Sequence, residues 1–443
     1  MLAVIILAAG QSKRMNSKTP KVLHKLGGQT VIEYVLKTAA SLNPFQVIVV
    51  TSSALKDHSL FKNVTTVVQE TAKGTGDAVK SAFSSIHSKV KEILVINGDT
   101  PLVQFDTLQE LNKIEADLSL IAMPIRNSEE AYGRIICNED EIPKAIVEYK
   151  DATLEQRSLI WANSGVYKIK VNLLKELLPL IKSKNEDNEY YLTDLVGLAF
   201  ESNKSLQMIK AEADEFQGIN TRQDLSLAES ILQQRWRQKL MEQGVTLYQP
   251  ETIFLSHDTK IGNDCCIGPF VTFGPGAYLE HSVTVLPFCH IEQTTIQTDV
   301  VIGPFAHTRG KSLLQEGSAI GNFVEVKGAT IGKTVKAKHL SYLGDVTVGE
   351  GTNIGAGTIL CNYNGFEKFK TEIGKNVMVG ANSSLISPLK IGDRAFIAAG
   401  SVIDQSVPED ALAIARGTQI IKEQGASKLH RKLSKDKKNS FIN

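Results

Sequence analysis

Two groups of residues in this chain have types and spacings suited to chemistry, and the chemistries differ. In the first, Leu7-Ala8-Ala9-Gly10 is followed by Gln11-Ser12-Lys13-Arg14-Met15 and then by Thr19-Pro20-Lys21. A turn of small residues after a strand lets backbone N–H groups approach a phosphate, and nearby Lys or Arg neutralises it. Gln69, Gly74-Thr75-Gly76 and Gly98-Asp99 follow in order. Asp99 comes after an apolar run and a glycine, a place where a carboxylate can hold Mg²⁺ against nucleotide phosphates. The second group centres on His339 in Lys338-His339-Leu340-Ser341-Tyr342-Leu343-Gly344-Asp345. Arg309, Lys327, Tyr342, Asn353, Asn362, Tyr363 and Lys368 are polar where a bare scaffold needs no polar group. An isolated histidine is more often structural than catalytic, and it is this polar neighbourhood that shifts the balance.

Each group sits on a different kind of element. Val4–Leu7, Val47–Val50, Thr65–Val68 and Ile93–Ile96 are short β-branched runs that predict buried parallel strands, with helical patterns at Val31–Ser41 and Gly76–Ser85 between them. That alternation predicts an open α/β sheet whose ligands sit beyond the carboxyl ends of the strands. From Ile261 onward the period changes. Ile261, Ile267, Phe273, Leu279, Val285 and Ile291 recur at every sixth position. A slip of one gives Ile296 and Ile302, and the phase returns at Ile320, Val326, Leu343, Val348, Ile354 and Leu360, then from Ile373 to Ile397. Hexapeptide repeats of this kind predict a parallel β-helix with the aliphatic residue pointing inward and glycines relieving the corners. Cys361 to Thr371 interrupts the repeat and is expected to bulge out as a loop.

Between the two patterns, Leu225, Ala228, Leu232, Trp236 and Leu240 fall at helical spacing and Gly244 marks a stop. The expected organisation is an α/β domain over 1–222, a linker helix over 223–243, a hexapeptide β-helix over 244–425 and a basic, flexible, unpatterned tail over 426–443. With 443 residues, two domains are the natural count. The 49 basic and 48 acidic side chains balance, so nothing calls for nucleic acid or an anionic membrane. No segment approaches the roughly 20 apolar residues that span a bilayer. The five cysteines lack zinc-type spacing, which fits free thiols in a reducing cytoplasm.

The first loop resembles the signature of the sugar-1-phosphate nucleotidyltransferases, LAAGxGTRM followed by proline-lysine. The likeness continues through Tyr132-Gly133-Arg134, Val147-Glu148-Tyr149, Asn163-Ser164-Gly165, Glu189-Tyr190-Tyr191-Leu192-Thr193-Asp194 and Gly218-Ile219-Asn220. In the second half, Gly321-Asn322-Phe323-Val324-Glu325-Val326-Lys327, HLSYLGD, Asn353-Ile354-Gly355-Ala356-Gly357-Thr358 and Asn362-Tyr363-Asn364-Gly365 extend it. Together they resemble the bacterial bifunctional N-acetylglucosamine-1-phosphate uridyltransferase/glucosamine-1-phosphate acetyltransferase family from about Val4 to Ile421.

The resemblance implies a Rossmann-like α/β nucleotidyltransferase with a mostly parallel sheet, followed by a left-handed parallel β-helix. It implies a cytoplasmic homotrimer that acetylates glucosamine-1-phosphate with acetyl-CoA and then transfers UMP from UTP to N-acetylglucosamine-1-phosphate, with Mg²⁺ serving the second step. Carried over by position, Leu7, Ala8, Ala9, Gly10, Lys21, Gln69, Gly74, Thr75, Gly133, Glu148, Asn163 and Asn220 bind UTP and UDP-N-acetylglucosamine. Asp99 and Asn220 are the metal ligands. His339 is the catalytic base of acetyl transfer, and Arg309, Lys327, Tyr342, Asn353 and Lys368 bind the sugar phosphate. Ala356, Asn362, Tyr363, Ala381, Ala399 and Arg416 are the acetyl-CoA positions, the Asn362–Tyr363 pair also orienting the sugar.

Four departures stand out: Ser12-Lys13 replaces Gly-Thr in the loop, Thr19 before the proline and Lys73 before Gly74 each replace leucine, and Ala381 stands where serine is usual. The alternatives are a nucleotidyltransferase with a regulatory, non-acetylating β-helix, and a non-catalytic assembly subunit.

Overall fold

The computed structural model describes residues 1–10, 12–183 and 188–439, so Gln11 of the first loop and the last four residues of the basic tail lie outside the described residues, and the Lys13 side chain is likewise outside them. The chain divides into two compact units, Met1–Lys239 with Leu255–His257, and Leu240–Phe254 with Asp258–Asn443.

The first unit is built on a nine-stranded sheet. Its strands are β1 (Leu2–Ala8), β2 (Gln46–Thr51), β3 (Thr65–Val68), β4 (Glu92–Asn97), β5 (Leu118–Pro124), β6 (Arg134–Cys137), β7 (Pro143–Val147), β8 (Trp161–Lys170) and β9 (Leu206–Lys210). The order β9-β5-β8-β4-β1-β2-β3 runs across the sheet, and β6 pairs with β8 and β7 at its side. β4, β1, β2 and β3 are mutually parallel, as the β-branched runs predict. β8 is antiparallel to β4, β5 and β6. Successive residues of β1 face opposite ways. Ala3 and Ile5 enter one core with Ala78, Val79 and Ala82 of helix Thr75–Phe83. Val4, Ile6 and Ala8 enter the other with Ile32, Val35 and Ala39 of helix Val31–Ser41. With both faces covered, the free space lies at the strand ends.

A 21-residue helix spans Arg222–Glu242. Most of its length belongs to the first unit, where Ala228 and Leu232 pack with Met15, Leu26, Val31, Leu102 and Ile219.

The second unit is a coil of three parallel sheets of ten, eight and eight strands. Each strand pairs with one a turn later, and a full turn is three hexapeptides, as for Ile267 with Val285 and Ile302 with Ile320. The expected slip appears in the pairing of Val285 with Ile302, a turn shortened by a single position. Ile261, Ile267, Phe273, Leu279, Val285, Ile291, Ile296 and Ile302 are all buried, as are Ile320 through Ile397 at the repeat positions. The turn that pairs Ile354 with Val379 is longer than the rest, because Asn362–Lys370 leaves the coil as a small hairpin closed by the Tyr363–Lys368 bridge.

Two details differ from the sequence reading. The glycines at the repeat positions are needed for clearance more than for dihedral freedom. A Cβ on Gly380 would lie 2.4 Å from the Ala399 nitrogen, and one on Gly262 would lie 2.7 Å from the Glu280 oxygen. Many left-handed corners are instead held by residues with side chains, including Asp264, Asp299 and four phenylalanines. Those four, Phe270, Phe288, Phe305 and Phe323, are about half exposed and stack face to face along one edge, with centroids 5.0, 4.9 and 5.1 Å apart. In addition, Gly425–Asn439 forms an α-helix where an unpatterned tail is expected. Lys428, Arg431, Lys432 and the Leu429/Leu433 pair are good helix formers, the two leucines at i, i+4 spacing.

Candidate functional sites

In the first unit the carboxyl ends of β1 and β4 meet. The Gly98 N–H donates to the Leu7 carbonyl at 2.8 Å, and a Cβ at Gly98 would press on Ala8 and Leu7 at 3.0 Å. This close approach aims Asp99 into the loop that follows β1. The Asp99 carboxylate takes the Lys21 ammonium, which also donates to Asn220 Oδ1 at 2.9 Å. Asn220 is fixed at the start of helix Arg222–Glu242, where Asp224 Oδ2 accepts from the Asn220 and Thr221 N–H groups. Two hard oxygen donors thus converge on one cation position. Such a donor set fits Mg²⁺.

Around this ion pair lies a cavity of about 710 Å³ lined by Leu7, Ala8, Ala9, Gly10, Lys21, Gln69, Gly74, Thr75, Asp99 and Glu148. Gly74, at φ +98°, caps helix Thr75–Phe83, and a Cβ there would lie 2.5 Å from the Tyr190 carbonyl. Gln69 donates to the Gly74 carbonyl and to Asp77, fixing its amide at the cavity wall. The Thr75 hydroxyl accepts from Leu192 N–H at 3.0 Å.

Gly133, Asn163 and Asn220 stand outside the lining. The Asn163 N–H donates to the Gly133 carbonyl at 2.8 Å, and bare Gly133 leaves room for the Glu148 carboxylate, which accepts from Thr193. Burial first, and then the Glu148 charge, raise the nearby Tyr167 phenol and keep it neutral. Ser12, one of the departures, accepts from the Lys21 N–H at 2.7 Å and so closes the loop from within. Asn97, Glu189 and Tyr191 also line the cavity. Glu189 and Tyr191 belong to a motif quoted above, but nothing in their type marks them as lining residues.

The second unit carries its polar residues on the outside of consecutive turns. His339 ends the strand Lys336–His339 and pairs in register with Asn322. Its Nδ1 is 2.8 Å from Asn322 Oδ1. An amide oxygen only accepts, so Nδ1 is the donor in this contact, and the neutral tautomer that makes it has its lone pair at Nε2. Gly321 allows this approach, since a Cβ there would collide with the Lys338 carbonyl at 1.9 Å.

Arg309 and Lys327 are neighbours in register on the adjacent sheet. Glu325 Oε1 accepts from Arg309 Nε at 3.0 Å, and Asp345 faces Lys327 at 3.6 Å. Contact with the Lys327 ammonium pulls Lys368, on the hairpin, below the ordinary lysine value. Three cations therefore gather where an anion would be held. Tyr342 lies over Gly344, Asn353 reaches Met378 Sδ at 3.4 Å, and Asn362 donates to Asp345 at 2.6 Å. Tyr363 donates to the Gly365 carbonyl within the hairpin.

Ala356, Ala381 and Ala399 form a column on successive turns. Asn382 N–H donates to Ala356, Gly400 N–H to Ala381, and Arg416 Nη1 to Ala399 at 3.0 Å. Asn322, Glu325 and Asp345 are positioning groups that reading by residue type missed. The turn length was the available signal, since Asn322 stands one turn of the coil before His339.

Residues 4–166 match the family model for the MobA-like NTP transferase domain, and residues 370–405 match the bacterial transferase hexapeptide model of six repeats. Among curated relatives, the bifunctional protein GlmU of Zymomonas mobilis is 41% identical over 98% of this chain and 98% of its own length. The bifunctional protein GlmU of Wolbachia pipientis wMel is 41% identical, covering 94% of this chain and 97% of the relative. That of Paramagnetospirillum magneticum is also 41% identical, over 95% and 94%.

Proposed function

Because the chain belongs to the family of the bifunctional protein GlmU, we propose that it makes UDP-N-acetylglucosamine in two steps on two separate sites. The second unit acetylates glucosamine-1-phosphate. The sugar phosphate rests on Arg309, Lys327 and Lys368, with Tyr342, Asn353, Asn362 and Tyr363 orienting the sugar. The column of Ala356, Ala381 and Ala399 with Arg416 takes acetyl-CoA. The amine nitrogen attacks the thioester carbonyl, Nε2 of His339 takes its proton, and the C–S bond breaks to release coenzyme A as the thiol. Such a base contributes roughly 10²–10⁴-fold.

The first unit transfers UMP. An oxygen of N-acetylglucosamine-1-phosphate attacks the α-phosphorus of UTP in line, and the bond to the β-phosphate oxygen breaks to release pyrophosphate. No protein nucleophile takes part, so positioning and charge neutralisation carry the rate. Leu7–Gly10 and Lys21 cradle the phosphates, Gln69, Gly74 and Thr75 meet the base, and Gly133, Glu148 and Asn163 grip the sugar. Asp99 and Asn220 would hold Mg²⁺, which supplies positive charge at the triphosphate. Lys21 would then exchange those two oxygens for phosphate oxygens.

A cytoplasmic homotrimer is part of this proposal. The exposed phenylalanine stack supports side-by-side association, because an apolar stripe of that length is unfavourable in water. The five free cysteines support a reducing compartment.

The observation that carries the two-site reading is the His339–Asn322 contact, since a purely regulatory coil has no use for a histidine held in one tautomer. The test is a coupled assay on the full chain with acetyl-CoA, glucosamine-1-phosphate, UTP and Mg²⁺, following thiol and pyrophosphate separately. His339→Ala should silence only the thiol signal and Asp99→Ala only pyrophosphate release from supplied N-acetylglucosamine-1-phosphate. Wild-type protein that releases pyrophosphate but never thiol would make the β-helix regulatory. Wild-type protein that yields neither would make the chain an assembly subunit.

A further inference from the structure

One cluster in the second unit is used by neither reaction. His290 and His307 are direct neighbours in register on consecutive turns of one parallel sheet. Their rings lie 5.1 Å apart at 74°. Glu292, on the same turn as His290, brings Oε2 to 3.9 Å from His290 Nε2. One ligand atom from each of the three lies within 4.8 Å of the others. Two backbone contacts hold this arrangement, because His290 N–H donates to Ala306 at 2.9 Å and His307 N–H to Val324 at 3.0 Å. A third feature makes room for it. Glu292 crosses Gly274 of the preceding turn, and a Cβ there would lie 2.6 Å from the Glu292 Cβ. Any larger residue at 274 would push the carboxylate off the two imidazoles.

We propose that His290, Glu292 and His307 form a binding site for one divalent transition-metal ion of the zinc class, clipping two consecutive turns of the β-helix together. Two imidazoles and a carboxylate are an established zinc donor set, with bonds of about 2.0–2.2 Å and a fourth position left for water. Tetrahedral ligands at that bond length stand about 3.3 Å apart. The His290–Glu292 pair therefore needs to close by about 0.6 Å and the widest pair by up to about 1.5 Å, a movement of exposed and half-buried side chains rather than of the backbone. Half-buried His307 and Glu292 form the floor, and exposed His290 leaves one side open for entry and water. Arg309, just beyond His307 on the same strand, already has the Glu325 carboxylate as its partner, so its charge is partly answered before a cation arrives. Imidazole ligands separate this site from the oxygen-only pair Asp99 and Asn220, which suits Mg²⁺ instead.

The full-length protein, stripped with chelator and kept in excess Mg²⁺, would be titrated with Co²⁺ and with Zn²⁺. The Co²⁺ visible spectrum reports geometry and ligand type, and equilibrium dialysis gives stoichiometry. The expected result is one ion per chain, a Co²⁺ spectrum without thiolate charge-transfer bands, and at least tenfold weaker binding in His290→Ala and Glu292→Gln. Asp99→Asn should bind as wild type does. The melting temperature of wild type should rise with Zn²⁺, and that of His290→Ala should not. Undiminished binding in His290→Ala, thiolate bands, or no uptake beyond the Mg²⁺-competed site would each overturn the proposal. His290→Ala lies on an exposed side chain and should fold, and its retained acetyl transfer would confirm that it does.

Discussion

The two units bring their candidate residues together with opposite geometry. In the first, the residues come from loops far apart in sequence: Lys21, Gln69, Asp99, Glu148 and Asn220 sit on separate segments that meet only at the strand ends. Each depends on its own local device, such as the Gly74 turn, the Gly98 contact or the helix start at Asn220. In the second, Arg309 and Lys327 sit on consecutive turns, and Asn322 and His339 on consecutive turns of the neighbouring sheet, so one register positions them all. A site of loops can be damaged piece by piece, whereas a site on a coil is damaged by whatever shifts a turn.

Breaking each side of that comparison should give effects that rank. His339→Ala should lower acetyl transfer by roughly 10²–10⁴-fold and leave pyrophosphate release untouched, as steady-state assays of each half-reaction would show. Asp99→Asn should lower uridyl transfer by about 10²–10³-fold, because it removes charge from the Lys21 and metal position, with acetyl transfer unchanged. Asn322→Ala sharpens the contrast, since it removes only a partner one turn away. It should cost acetyl transfer about tenfold, the scale of one hydrogen bond, with kcat falling more than KM changes. Parallel loss in both half-reactions would show the residue to be merely structural.

The smallest effect concerns pH. Contact with Lys327 lowers the Lys368 pKa, so Lys368 loses its charge at a lower pH than an ordinary lysine, and the KM for glucosamine-1-phosphate should begin to rise there. Replacing Lys327 with methionine removes the neighbouring cation, so the alkaline limb should move to higher pH even as overall affinity falls.

Much of the coil was legible in its sequence, because a six-residue period has one physical meaning and an interrupted period marks a loop. The inward row from Ile261 to Ile397 and the hairpin after Cys361 both follow from it. The outward row does not. Phe270, Phe288, Phe305 and Phe323 are as hydrophobic as the core yet stand exposed at left-handed corners, so apolarity misleads about their direction. In the first unit, the four parallel strands declared themselves by β-branched runs. The antiparallel β8 did not, because its ten residues mix Asn163, Ser164, Gly165 and two lysines with only a few aliphatics. Within the candidate sites, residue type pointed to His339 and Asp99, whereas Ser12 and Asn322 became visible only once their partners had positions.

Parallel turns lie about 4.8 Å apart, which makes the second unit a graduated rod. Lengthening it by one whole turn before Cys289 would carry the entire proposed acetyl-transfer face outward unchanged. The same insertion between Arg309 and Lys327 would place those two cations about 9.6 Å apart at the backbone, twice the single-turn spacing. The reach of this face for a ligand is therefore set in whole steps, and lengthening or shortening the rod changes it only by a full graduation.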